Sequence, residues 1–224
     1  VSAQTLFFDL LKERAETGRI YIMNIDHCNT HSSFKDRVTM SNLCQEITLP
    51  TDPIQHIDGS GEIALCILSA INVGIIKEID DLEELCDLAV RALDEIIDHQ
   101  KYPVKAAEVS TKARRSLGVG YIGLAHYLAK NKVQYSDKKA WKLVDDLTEA
   151  FQFYLLKASN IVAQEKGKCD YFDRTKYSDG ILPIDTYKKD VDELVKPKFN
   201  YDWEWIRGQI KKHGLRHSTL SAQM

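Results

Sequence analysis

The chain lacks a long apolar run, a strong charge of either sign, and an even, closely spaced set of cysteines. Each absence removes a class of function. The longest hydrophobic stretch, Ile63 to Ile76, is interrupted by Ser69, Asn72 and Gly74, and is too short and too polar to span a bilayer. A net charge of −3 gives no electrostatic argument for binding nucleic acid polymer or an anionic membrane. Five cysteines, Cys28, Cys44, Cys66, Cys86 and Cys169, are an odd and scattered set. They make a poor disulfide framework and fit a reducing, cytoplasmic setting. No secretory signal pattern opens the chain, and no repeat or low-complexity tract interrupts it. What is there, 44% hydrophobic and 28% charged residues in 224, suits a single globular domain with one sizeable core.

Periodicity supplies the elements. Residues 3–17 read as an amphipathic helix with Leu6, Leu10 and Leu11 on one side and Gly18 as its stop. Residues 20–25 read as a strand, 26–40 as irregular, and 42–49 as a strand ended by Pro50 and Pro53. Ile63 to Ser69 is nearly continuous in apolar residues, the pattern of a strand buried on both faces. Asp80 is placed to cap a helix, with Glu83 three residues on and Leu82, Leu85, Ala89, Leu93, Ile96 and Ile97 as its core stripe. Helices are expected at 119–130 and 138–166, the latter with Trp141, Val144, Leu147, Phe151, Leu155, Ala158 and Val162 inward. Residues 168–201 read as loop with a short helix near 187–195, followed by a helix at 203–213 and a last strand at 215–222. Strands interspersed with long helices indicate an α/β architecture.

The chemistry concentrates in Asn42-Leu43-Cys44-Gln45-Glu46 and in Cys66, which sits in the run Glu62-Ile63-Ala64-Leu65-Cys66. In an extended segment Asn42, Cys44 and Glu46 share one face, because strand side chains alternate. An amide, a thiol and a carboxylate side by side suit a reaction at sulfur with a proton transfer beside it. From spacing alone, Cys44 reads rather as an unreactive core residue, and Cys66 has the same plain reading as a core cysteine. His27, Cys28 and His31 have spacing seen in zinc proteins, but a structural zinc needs four ligands and no second pair follows, so they read as a structural turn. Gly118-Val119-Gly120-Tyr121-Ile122-Gly123 matches a dinucleotide-binding fingerprint, with Asp137 near the acidic position. The polar stretch Ser110 to Arg115 precedes it where a hydrophobic strand is required, so helix packing is the expected role of these glycines. Trp203 and Trp205 read as helix-packing aromatics.

Several longer words decide the matter. Arg14-Ala15-Glu16-Thr17-Gly18-Arg19-Ile20-Tyr21, Asp26-His27-Cys28-Asn29-Thr30-His31-Ser32, Ser41-Asn42-Leu43-Cys44, Gly61-Glu62-Ile63-Ala64-Leu65-Cys66, Gly180-Ile181-Leu182-Pro183-Ile184-Asp185-Thr186-Tyr187-Lys188-Lys189 and Leu215-Arg216-His217-Ser218-Thr219-Leu220-Ser221-Ala222 follow one another along the chain. Together they closely resemble the large subunit of class I ribonucleotide reductase. The resemblance covers the middle of such a subunit, so residues 1–224 are expected to form part of its ten-stranded α/β barrel, with a finger loop carrying the radical cysteine.

The resemblance implies the roles. Cys44 would form the thiyl radical that removes the 3′-hydrogen of a ribonucleoside diphosphate. Glu46 would take the 3′-hydroxyl proton, and Asn42 would hold the ribose hydroxyls, since an amide donates and accepts at once. Leu43 and Gln45 would complete the substrate-contacting stretch, with Gln45 the weaker side chain because alternation turns it away. Cys66 would be half of a redox pair whose partner precedes Val1. No metal or cofactor is expected on this chain. A metal-containing small subunit would supply the radical, and thioredoxin or glutaredoxin the electrons. The complete large subunit is expected to be a homodimer. Val1 and Met224 read as cuts, with the phosphate-binding loop following Met224 and the regulatory sites lying largely elsewhere. A non-catalytic structural piece that needs the missing segments is the alternative, and a dehydrogenase built on Gly118 a distant third.

Overall fold

A parallel pair of strands and the helices against it organise the computed structural model, which describes residues 1–56, 59, 61–196 and 198–221. Helix α1 (Ala3–Thr17) starts where Ser2 Oγ accepts from Thr5 N at 3.1 Å and stops at Gly18, whose φ of +67° lets its N–H reach Arg14 O. No residue of α1 is buried. Helix α2 (Ile25–His31) occupies part of the stretch read as strand and irregular coil; residues 19–24 carry no regular structure. Asn29 explains the difference. Its amide accepts from Val38 N at 2.9 Å and donates to Val38 O and Ile25 O, holding a helical turn against the chain that follows.

Strand β1 (Ile67–Asn72) begins later than the apolar run suggests and ends later. Helix α3 (Asp81–His99) follows. Its start is fixed by Asp81, whose Oδ2 accepts from Lys77 N at 2.8 Å and Glu78 N at 3.2 Å. Asp80, the expected cap, instead accepts from the Tyr154 hydroxyl at 3.2 Å. Leu82, Cys86, Val90, Leu93 and Ile97 are its buried stripe, while Ile96 is 45% exposed. Helix α4 (Lys105–Arg114), which the sequence did not announce, ends at Arg115 in the left-handed region (φ +49°).

Residues 119–122, expected to open the helix at 119–130, belong instead to strand β2 (Leu117–Ile122), parallel to β1 in the register Ile67↔Leu117 to Asn72↔Ile122. The fingerprint-like glycines Gly118 and Gly120 therefore lie in a buried strand. Gly123 turns the chain with φ +81° into helix α5 (Leu124–Lys130), so close to Asn72 that a Cβ would stand 2.4 Å from its side-chain oxygen. On the other side of β2, Leu117 N and Val119 N donate to Thr219 O and Leu220 O, and Ser221 bridges Val119 in parallel. The expected last strand is thus present as a short extended edge; Ala222 lies outside the described residues.

Helix α6 (Lys138–Lys166) is the longest element. It packs along α3, joined across the surface by Arg91–Glu165 at 2.6 Å and Lys157–Glu83 at 2.5 Å. Leu147, Phe151, Leu155, Ala158 and Val162 are buried as their spacing predicts, with Trp141 and Val144 half-buried. Turns of 3-10 helix at Phe172–Arg174 and Lys176–Asp179, the short helix α7 (Pro183–Thr186) and a 3-10 segment at Lys189–Glu193 replace the single helix expected near 187–195. Helix α8 (Trp203–His213) closes on α6, burying Trp203, Ile206 and Ile210 and leaving Trp205 45% exposed. The main core lies between the strands, α3, α6 and α8; a smaller one joins Phe34, Val38 and Leu49. The chain is a mixed helix–strand fold of α/β type. None of its described helices is long and apolar enough to cross a membrane.

Candidate active site

One amide shapes the segment from Asn42 to Ile47. Asn42 N donates to Ile47 O at 3.2 Å, Ile47 N donates to Asn42 Oδ1 at 3.1 Å, and Gln45 N donates to Asn42 O at 3.2 Å. Asn42 Nδ2 donates to Glu46 Oε1, and Gln45 takes φ +63°. The segment is therefore a turn and not the extended strand that alternation suggested. The correction has a local cause: asparagine side chains hydrogen-bond nearby backbone and compete with sheet pairing. The turn still brings Asn42 and Glu46 into direct contact. Cys44 sits at its exposed tip beside Leu43, which is 80% exposed.

Cys66 lies just before β1, half-buried against the small core of Phe34, Val38 and Leu49. Burial, and after it the Glu46 carboxylate, pushes its thiol up to about 12. At neutral pH its sulfur keeps its hydrogen. Glu46 and Cys66 line one cavity of about 230 Å³, together with Ser33, Lys176, Thr219 and Ser221. A second cavity of about 680 Å³ adjoins it along Ile47, Leu49 and Cys66 and takes in Asn42. Cys44 is among the lining of neither. The structure thus joins Asn42 to Glu46 and Glu46 to Cys66 but leaves Cys44 projecting. Of the remaining cysteines, Cys86 and Cys169 are buried and Cys28 is on α2. His27 and His31 share that helix rather than a turn, and among the described residues no group of three or more His, Cys, Asp or Glu is arranged to hold a metal.

Residues 1–224 match the family model of the ribonucleotide reductase barrel domain. The chain belongs to the ribonucleotide reductase family. It is 58% identical over 228 aligned residues to the ribonucleoside-diphosphate reductase subunit alpha of Haemophilus influenzae, covering 100% of this chain and 30% of that protein. The corresponding subunit of Buchnera aphidicola from Schizaphis graminum is 54% identical and that of Enterobacteria phage T4 42%, each again with 100% of this chain and 30% of the relative covered. The chain therefore spans 30% of the length of these curated relatives.

A second constellation in this reductase barrel domain mimics a hydrolase. Ser159 Oγ lies 2.9 Å from His217 Nδ1, and His217 Nε2 lies 3.1 Å from Asp94 Oδ1. All three side chains are fully buried, so no substrate reaches the serine. Asp94 also receives Arg115 at 2.7 Å and Arg216 and Lys166 at 3.3 Å. Burial drives the His217 imidazole down to about 4 despite the carboxylate beside it, whose charge is already claimed by those cations. Neutral His217 then donates from Nε2 to Asp94 and accepts from Ser159 at Nδ1. This hub ties α3, α6 and the segment carrying Thr219 into one block.

A parallel clamp holds the other side. Arg114 makes a two-pronged contact with Glu62 at 2.6 and 3.0 Å and reaches Asp36 at 2.9 Å. Arg174 also reaches Asp36, at 2.7 Å, and stacks 4.3 Å from the Tyr171 ring centroid. Because Arg115 is left-handed, the two adjacent arginines serve opposite clusters. Lys176, Thr219 and Ser221 were missed as site residues: they lie far from Cys44 in sequence, and no local pattern marks a cavity wall.

Proposed function

We propose that this chain carries the catalytic segment of a ribonucleoside-diphosphate reductase, as part of the ten-stranded barrel with residues 42–46 as its finger loop. In this reading Cys44 is the thiyl radical site. It removes the 3′-hydrogen of the substrate, Glu46 takes the 3′-hydroxyl proton, and the 2′-hydroxyl leaves as water. Two electrons come from a thiol pair that closes to a disulfide, Cys66 being one member and a cysteine outside this chain the other. Asn42 holds the ribose hydroxyls, with Leu43 and Gln45 beside it. Sulfur suits the first step because an S–H bond is about as strong as the ribose C–H bond, so hydrogen transfer is nearly balanced and reversible.

The observation that carries this reading is the contact of Glu46 with Asn42 at the edge of a cavity whose wall is Cys66. A carboxylate beside a sulfur that keeps its hydrogen is what coupled proton and thiol chemistry requires. A metal-containing small subunit supplies the radical, thioredoxin or glutaredoxin restores the dithiol, and the complete large subunit works as a homodimer in the cytoplasm.

The test is ribonucleoside diphosphate reduction by the complete large subunit with its small subunit and a dithiol. Cys44→Ser should abolish product while the fold and small-subunit binding persist, because an O–H bond is too strong for oxygen to replace this sulfur. Turnover near the wild-type rate would overturn the assignment.

A second reading is favoured by the 30% coverage of the relatives and by the exposure of Cys44. The chain alone is inactive and becomes a reductase when joined to the remaining segments. Product formed by the purified 224-residue chain with small subunit and dithiol would overturn that.

A further inference from the structure

The cavity lined by Glu46 and Cys66 is also lined by Lys176, a cation with no ion-pair partner among the described residues. Lys176 lines its wall together with Thr219 and Ser221. The Lys176 backbone N–H donates to Ser33 O at 2.7 Å, next to the bridge between Phe34 and Thr175, so its Cα is fixed against the chain that follows α2. Its ammonium donates to Asn29 O and Thr30 O, both at 2.9 Å, at the C-terminal end of α2. Those carbonyls orient the group but carry only partial charge. Neighbouring lysines are neutralised: Lys35 pairs with Asp179 at 2.8 Å and Lys168 with Asp173 at 3.0 Å. For Lys176 burial lowers the amine, and no nearby carboxylate among the described residues works against it. An ammonium has three N–H donors, and two are used. One donor is left over on a side chain of the cavity lining, which suits an anion.

We infer that Lys176 receives a phosphate oxygen of the nucleoside diphosphate whose ribose meets Glu46 and Cys66. The inference rests on the functional reading above and adds a side chain to it. A bound phosphate favours the charged amine and supplies the counter-charge that α2 does not. Thr219 and Ser221 add hydroxyls to the same wall, groups that donate to phosphate oxygens. The competing role is purely structural, with Lys176 doing no more than capping α2.

The two roles separate on ligands that differ by the phosphates alone. In the complete large subunit, equilibrium binding of a ribonucleoside diphosphate and of the corresponding nucleoside is measured for wild type, Lys176→Met and Lys176→Arg, with circular dichroism to check the fold. Lys176→Met should weaken diphosphate binding about tenfold, the loss expected for one charge-assisted hydrogen bond, and leave nucleoside binding within about twofold. Lys176→Arg should recover most of the diphosphate affinity. In turnover the Met variant should raise KM and leave kcat near wild type. Equal losses for nucleoside and diphosphate, or no loss for either, would overturn the inference. A wild-type enzyme that binds diphosphate in a Lys176-dependent way yet reduces none would overturn the functional reading and leave the Lys176 contact standing.

Discussion

Replacing Asp94 by asparagine strikes the point where three parts of the chain converge. Asp94 has 0% exposure and gathers Arg115 at 2.7 Å, His217 at 3.1 Å, and Arg216 and Lys166 at 3.3 Å. Asparagine has nearly the same volume, so no cavity opens. What is lost is the charge, and the new NH₂ turns a donor toward guanidinium donors. Removing one side of a buried ion pair costs about 3–5 kcal/mol. Arg115 keeps Asp98 at 2.8 and 2.9 Å, and Arg216 keeps the carbonyls of Lys166 and Gly167 at 3.3 Å. The low end, about 3 kcal/mol, is therefore the expectation. At 2–4 °C per kcal/mol for a domain of this size, Tm should fall by roughly 6–12 °C. Burial alone would raise the Asp94 carboxyl; the His217 hydrogen bond and the Arg115 charge outweigh it and hold the carboxyl well below the usual range. A depressed carboxylate stabilises fully above its unfolded value and loses that contribution as pH falls through the folded one. The gap between wild type and variant should accordingly persist throughout the neutral range. The assay is thermal and urea unfolding at pH 7, with Glu95→Gln, an exposed partner of Lys166, as the control that should leave Tm essentially unchanged. An Asp94→Asn protein melting within about 2 °C of wild type would refute the argument that this carboxylate holds the block together.

His217 gives a separate acid signature. Its folded value near 4 lies below the ordinary 6.5, so the unfolded state takes up a proton first, and stability should decline as pH drops from 6.5 toward 4. His217→Gln should flatten that stretch of a urea-midpoint profile, and an unchanged slope would count against a buried neutral imidazole. Alkylation at neutral pH, followed by peptide mass spectrometry, should modify exposed Cys44 first and Cys66 slowly. Cys86 and Cys169, buried and pushed up to about 12 by that burial, should react after unfolding, and fast native labelling of Cys66 or Cys86 would contradict their environments.

What the sequence made legible follows the length over which its signal is averaged. Helices α3, α6 and α8 each carry several turns of consistent apolar spacing, and their limits fall close to expectation. The strands did not fare as well. Residues from Ile63 to Ile71 are apolar apart from Ser69, and pairing with β2 at Ile67, a contact between distant parts of the chain, decides where the strand begins. Gly118 and Gly120 lower the strand signal of β2, which is buried in a parallel pair and shows no alternation. At Asn42 the alternation argument failed for a local reason, since a short amide side chain captured the backbone and bent the segment. The candidate residues Asn42, Cys44, Glu46 and Cys66 were singled out through the resemblance. The opposite wall of their cavity was not, because Lys176 and Thr219 reach it by tertiary packing alone.

The distribution of exposed apolar side chains bears on how such a site would operate. The first third of the chain leaves Leu6, Phe7, Phe8 and Leu10 between 44% and 58% exposed, with Tyr21, Ile22, Met40 and Ile54 between 50% and 55% and Leu43 at 80%. The principal core draws its members from Ile71 onward. Exposed apolar side chains that no core covers are suited to contact with other segments. Here the same stretch of sequence includes the turn that carries Cys44, the residue that our reading makes a radical. A thiyl radical open to solvent would be quenched, so its chemistry requires that this region be covered. Relatives more than three times as long, in which this chain accounts for 30% of the length, have the residues to cover it. Activity that appears when those segments are joined to the chain, accompanied by loss of Cys44 alkylation, is the outcome this arrangement of exposed leucines and phenylalanines leads us to expect.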